Sequence, residues 1–266
     1  MRDSEAHPWT VSGWLMAAYT LLVYAFLFAP IVIVVLMSFN SNRYSGFPLQ
    51  SFSLRWYADL FADSTIWEAL RRSIVIGVCT TIMATTLGLL GAFALSRFNF
   101  PGKPVYTAIL ITPLIVPGII MGVSLLSFYN FFSIRTGFVT VILAHTALAL
   151  PYTTLVIAAR LQGFDRRLEE AGASLGAPYP RVFLKITLPL LAPGIIAAAL
   201  FAWTISFDEF VITNFIAGGA GQTMPLKIYS LLKWGLSPSI NAASSIIMAA
   251  SLILVFSALA LARKKN

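Results

Sequence analysis

The chain has 266 residues, 58% of them hydrophobic and 11% charged, against about 45–50% and about 25% in ordinary soluble domains. Polar surface this scarce cannot cover the chain in water, which excludes a soluble enzyme. About six spans of roughly 20 residues each use nearly the whole length and leave no room for a soluble catalytic domain. The net charge of +8 is not a nucleic-acid footprint, because Lys and Arg fill the gaps between apolar runs instead of clustering on one soluble face.

In chain order, residues 1–13 form a short N-terminal segment, and residues 14–39 form the first apolar run, with Pro30 in its middle. The run is too long for a signal-peptide core and lacks a small-residue cleavage site, so it is read as a retained helix. Residues 40–72 are predicted to be extracytoplasmic. Their aromatic residues Trp56, Tyr57, Phe61 and Trp67 suit a membrane interface.

Residues 73–262 form the predicted core, with five further runs: Ser73–Leu95, Val105–Phe128, Phe138–Ala159, Leu188–Ile216 and Ile240–Ala262. Small residues such as Gly88, Gly91, Ala92 and Ala94 let helix backbones approach closely. Prolines 113, 117, 151, 189 and 193 fall in or at the start of these runs, where neighbouring helices or cavity water must repair the lost donor. The predicted fold is all-α and polytopic, with six transmembrane helices.

Placing the N-terminus inside puts eleven of the 18 Lys and Arg residues on the inner side and seven on the outer. That bias predicts cytoplasmic termini, including the tail 263–266. Cys79 lies inside an apolar run with no partner cysteine, and His7 and His145 have no acidic neighbours at ligand spacing. No metal site is predicted, and His145 is expected to make a hydrogen bond inside the helix bundle.

The longest inner gap, 160–187, is patterned. Asp165 suits an N-cap, and Leu168, Ala171 and Leu175 recur as one apolar stripe. Gly176 stands where a left-handed residue would end that helix. Pro180 can open a second short helix, with Val182, Phe183 and Ile186 as its apolar face. Periodicity alone fits equally a docking helix–turn–helix and an amphipathic connector resting on the membrane surface.

Importer permeases of the ATP-binding-cassette class carry a loop reading Glu-Ala-Ala, three residues, Gly, nine residues, Ile, one residue, Leu-Pro. Here Glu170-Ala171-Gly172, Gly176, Ile186 and Leu188-Pro189 keep every spacing, with Gly replacing the second Ala. The chain resembles that family, and within it the second permease of spermidine/putrescine-type importers. Further segments that carry the resemblance are FNSNRYSGF, RWYADLF and PLKIYSLLKWGLSPSINAASSI.

The resemblance implies a type I importer permease in the bacterial inner membrane. Its loop, including Glu169, would be a coupling helix that docks on a separate ATPase. It also implies a heterodimer with a sister permease, two ATPase subunits and an extracytoplasmic substrate-binding protein. The chain has no phosphate loop, since its only Gly-Lys pair, Gly102-Lys103, is followed by Pro104. It is therefore read as a non-catalytic subunit that binds no cofactor, with ATP and magnesium on the partner.

For the solute path, Asp208 and Glu209 lie in the fifth run, and an intramembrane acid is a functional hypothesis by default. They would attract a cation, supported by Trp203 and Phe207 through cation–π contact. The structural alternative is an ion pair with Arg71 or Arg72, or an anchor at the helix end. The polyamine permeases it resembles usually read Pro-Asp where this chain has Pro117-Gly118. A polyamine or related amine is the expected cargo. An aminophosphonate, an amino-acid-like solute or ferric iron is the alternative within the class, and an ion-driven secondary transporter is the remote one.

Overall fold

A computed structural model describes residues 11–42, 51–219, 221–233 and 238–263. His7 and the tail 264–266 lie outside the described residues. The elements are helical: α1 (Val11–Met37), α2 (Arg55–Ala62), α3 (Ser64–Arg97), α4 (Lys103–Ile115), α5 (Gly118–Phe131) and α6 (Phe138–Gln162). They continue as α7 (Arg167–Ser174), α8 (Tyr179–Val182), a π-helical turn (Phe183–Thr187), α9 (Leu188–Asp208), α10 (Val211–Ile216), α11 (Met224–Lys233) and α12 (Pro238–Arg263).

Four helical stretches are long and apolar enough to cross a membrane, and a fifth crossing results if the bent pair α4–α5 counts as one. The apolar part of α12 that can be described is shorter. These elements are consistent with the predicted six spans.

The chain divides into two compact units, residues 64–229 with 255–266, and residues 1–63 with 230–254. In the larger unit α3, α6 and α9 pack against one another. Their shared core runs in three layers. Ile76 of α3 and Val141 of α6 lie in one with Ile212 of α10, Ala84, Ala149 and Ala202 in the next, and Ala92, Ile157, Leu191 and Ala198 in the third.

The middle layer is all alanine because the backbones are nearly in contact there. The Thr153 hydroxyl donates to the Ala84 carbonyl at 2.8 Å, and a Cβ on Gly88 would lie 2.2 Å from Thr153 Oγ1. Small residues give close packing where lipid offers no hydrophobic drive between helices. They also let a threonine cross-link two backbones.

In the smaller unit the chain leaving α1 folds back as an isolated bridge between Asn40 and Phe52. Phe39 stacks on Phe52 at 4.7 Å, and the Trp56 indole donates to the Asn40 carbonyl at 2.6 Å. Trp56 is buried, so it is a packing residue, whereas Phe61 and Trp67 are exposed as interface aromatics should be. The side chains of α1 are exposed along nearly its whole length, an apolar surface suited to lipid or to another membrane helix.

Three sequence expectations are corrected. The third run is not one straight helix: α4 and α5 meet at 111°, and Pro117 supplies the corner. The fifth run breaks between Asp208 and Val211. The second short helix of the inner gap is not separate, because α8, the π-helical turn and α9 form one continuous apolar rod, Tyr179–Asp208.

Candidate functional site

Two irregular regions carry the residues singled out from the sequence. The first is the α6–α9 connection. Asp165 is not the N-cap of α7, which is Arg166; it stands one residue earlier and accepts the Arg167 N–H at 3.0 Å. Gly176 ends it with φ +80°. Its N–H reaches the Ala173 carbonyl at 2.9 Å, and the Ala177 N–H reaches the Gly172 carbonyl at 3.2 Å, the paired bonds of a Schellman end.

Gly172 is the buried residue of α7. A Cβ there would lie 2.8 Å from Ile186 Cδ1 and 3.3 Å from Val182 Cγ2. The Gly in place of Ala thus brings α7 closer to the rod, and Gly172 and Ile186 are placed in contact. Leu188 is half-buried and Pro189 exposed in the first turn of α9, where a missing donor is harmless.

The apolar stripe points outward, contrary to the usual expectation for an amphipathic helix. Leu168 is 46% exposed and Leu175 89%, and Ala171 and Glu170 are exposed as well. Glu169 points the other way. Its Oε2 lies 2.9 Å from Nη2 of Arg97, in the last turn of α3, and its Oε1 accepts the Thr187 hydroxyl at 2.6 Å. Arg97 and Thr187 were not identified from sequence. No local spacing signals the pairing of Arg97 with a residue 72 positions on.

The second region joins the two broken rods. Gly118 opens α5 beside Val211, the first residue of α10, with 3.5 Å between its would-be Cβ and Val211 Cγ1. The structure therefore brings Pro117 and Gly118 near the Asp208–Glu209 break. Glu209 accepts the Ile212 N–H at 2.7 Å and so starts α10. The Thr213 hydroxyl donates to the Glu209 carbonyl at 3.1 Å.

His145, fully buried on α6, closes this network. Its Nε2 lies 2.8 Å from Thr213 Oγ1 and its Nδ1 2.9 Å from Ser206 Oγ. Because Thr213 donates to Glu209, Nε2 is the ring donor and Nδ1 accepts from Ser206. Three helices meet on one imidazole, as a buried polar group requires.

Asp208 is exposed at the C-terminal end of α9, where the helix dipole disfavours an anion. Among the described residues no ion pair reaches it, and Arg72 pairs with Glu68 instead. Trp203 and Phe207, one turn apart on α9, stack at 5.5 Å and 20°. Phe207 is buried and Trp203 half-buried.

A helical bundle whose third and fifth rods both break, side by side, and whose α6–α9 connection forms a structured loop has the architecture of a transport permease. The sequence profile of binding-protein-dependent transport system inner membrane components matches residues 84–264, and the chain belongs to that family. It is a multi-pass inner-membrane permease subunit of the ATP-binding-cassette importer class.

The chain is 39% identical over 95% of its length to the spermidine/putrescine transport system permease protein PotC of Haemophilus influenzae, covering 98% of that relative. It is 34% identical over 91% of its length to the putrescine transport system permease protein PotI of Escherichia coli, covering 86% of it. Among solved structures, a bacterial ABC transporter involved in importing the acidic polysaccharide alginate superposes with a TM-score of 0.75 at 15% identity, over 94% of this chain and 96% of that one. The MetNI methionine ABC transporter gives 0.60 at 18% identity, over 76% and 94%.

Proposed function

We propose that this chain forms half of the solute pathway of an importer for polyamines or related small amines. In this reading it pairs with a sister permease, docks one of the importer's two ATPase subunits through α7, and receives its cargo from an extracytoplasmic binding protein. Hydrolysis belongs to the partner, with ATP and magnesium bound there, and both termini face the cytoplasm.

The observation that carries the reading is the two-faced α7. One side is fixed to the bundle through Gly172 and Glu169, and the other offers Leu168, Ala171 and Leu175 to a partner. A connector resting on lipid needs no such rigid fastening. ATP binding would close the ATPases, and the docked loops would carry that closure to the spans, shifting the population between inward- and outward-open states.

The likeness to spermidine/putrescine permeases supports the amine assignment, as does Asp208 beside the Trp203–Phe207 stack. Gly118 supports the second reading, in which the cargo is an aminophosphonate, an amino-acid-like solute or ferric iron. The test is ATP hydrolysis by the reconstituted complex with its binding protein, given putrescine, spermidine, an amino-acid-like amine, an aminophosphonate or ferric iron in turn. Stimulation by the polyamines is expected. Stimulation by another solute alone would assign the second cargo.

A further inference from the structure

We propose that Glu169 is the positioning residue through which α7 moves the second and fifth membrane rods as one body. The proposal rests on the reading of α7 as the ATPase-docking helix, and it assigns Glu169 to transmission and not to docking.

Glu169 and Glu170 are adjacent acids with opposite surroundings. Glu170 is exposed, whereas the Glu169 side chain is 20% exposed and faces Arg97, itself 13% exposed. The two carboxylate oxygens of Glu169 are used separately. Oε2 faces Arg97 at the cytoplasmic end of α3, and Oε1 takes the hydroxyl of Thr187, which is 1% exposed at the head of α9. One carboxylate therefore bridges two rods that are far apart in sequence.

The neighbouring contacts brace the same junction. The Arg97 guanidinium lies 5.5 Å from the Phe164 ring centroid, and Arg166 donates to the Ser96 carbonyl at 3.2 Å. Among the described residues the α7-to-rod ion pair is the Glu169–Arg97 one.

The physical distinction is between pushing and pulling. The Gly172–Ile186 contact resists compression but yields readily to separation, because dispersion attraction between a few atoms is small. A carboxylate attracted by a guanidinium nitrogen 2.9 Å away, an ionic contact without hydrogen-bond geometry, and bonded to a hydroxyl resists separation as well as compression. An importer cycle both closes and reopens, so the loop must pull as well as push. The π-helical turn ends on Thr187, the residue that Glu169 holds, and π-turns are frequent at functional positions.

The experiment uses the full complex in proteoliposomes and reads two quantities: ATPase retained on purification, and solute imported per ATP hydrolysed. Glu169→Ala and Arg97→Ala are each expected to keep the ATPase bound while import per ATP falls roughly five- to tenfold, within the usual range of coupling between sites. The double variant should be no worse than either single one, since both remove the same link. Glu169→Gln keeps the volume and the Thr187 bond but loses the charge. It is expected to fall between, and it serves if the alanine variant fails to insert.

Leu175→Glu, on the outer face, is the contrasting variant and should lose the ATPase itself. Wild-type import per ATP in both Glu169 variants overturns the proposal. Loss of the ATPase from Glu169→Ala, as from Leu175→Glu, also overturns it by making Glu169 a docking residue. A wild-type chain that retains no ATPase overturns the importer reading instead, and that control is read first.

Discussion

The α7 loop and the paired helix breaks are both departures from regular helix, yet they are fastened by different chemistry. The loop is held by an ion pair, Glu169 with Arg97, at its inner face. Among the described residues the breaks are held without an ion pair: a histidine sits between two hydroxyls, and the Glu209 side chain accepts the Ile212 N–H. Near the aqueous surface an ion pair can be partly hydrated and is tolerable. Among packed apolar helices a charge is expensive to bury, so hydrogen bonds to hydroxyls and a backbone N–H do the joining. The difference singles out Asp208, an acid at the breaks that fastens nothing among the described residues.

The largest effect is expected in the frame that carries both regions. Gly88→Leu would push α3 off Thr153 and cost about 3 kcal/mol or more by overpacking. Little inserted protein should be recovered from membranes, and a normal yield with normal thermal stability would show that the close approach is not required.

Next comes the neutral fastening. His145→Ala leaves Ser206 and Thr213 without their partner, at about 1–3 kcal/mol, while ATPase retention should be unchanged. The apparent Tm in detergent reads this, with His145→Gln recovering part of the loss. An unaltered Tm would mean that the breaks are held by packing alone.

Gly176→Asp tests the charged region without touching its ion pair. Apart from the glycine and its chain neighbours, no atom lies within 4 Å of the site a Cβ would occupy, so the penalty comes from φ +80°, about 1 kcal/mol. Import per ATP should drop while insertion is retained. Joint loss of insertion and assembly would instead mark a folding defect.

The smallest effect is at Gly118→Asp. The 3.5 Å gap to Val211 accepts a side chain, and a second acid near Asp208 should lower the apparent KM for spermidine roughly twofold to fivefold. An unchanged KM for spermidine would remove this position from the solute path.

Much of this architecture is legible in the sequence because its signals are local. Six-residue spacing fits Gly176 to the end of α7, and the apolar runs locate the rods. The breaks are less legible for a physical reason. Residues on both sides of Pro117 are apolar, so a hydropathy pattern cannot distinguish a bend from a straight span, and the α9–α10 break contains neither Gly nor Pro. Its available signal was Glu209, an acid able to bond the backbone three residues on and so compete with the helix.

The direction of the Leu168–Ala171–Leu175 stripe was illegible for another reason. Periodicity reports that a helix has an apolar face, not whether its own chain or another covers it. Arg97 was hidden by sequence distance, since its role exists only once α3 and α7 are side by side.

The central claim is that transport by this chain is driven through α7 by a separate ATPase. Its most direct test is labelled-spermidine uptake into proteoliposomes holding the permease pair and binding protein, with and without the ATPase subunits and ATP. Uptake that requires both, and that is abolished by Leu175→Glu, is the expected result. Uptake that proceeds without the ATPase, or survives Leu175→Glu at the wild-type rate, would contradict it.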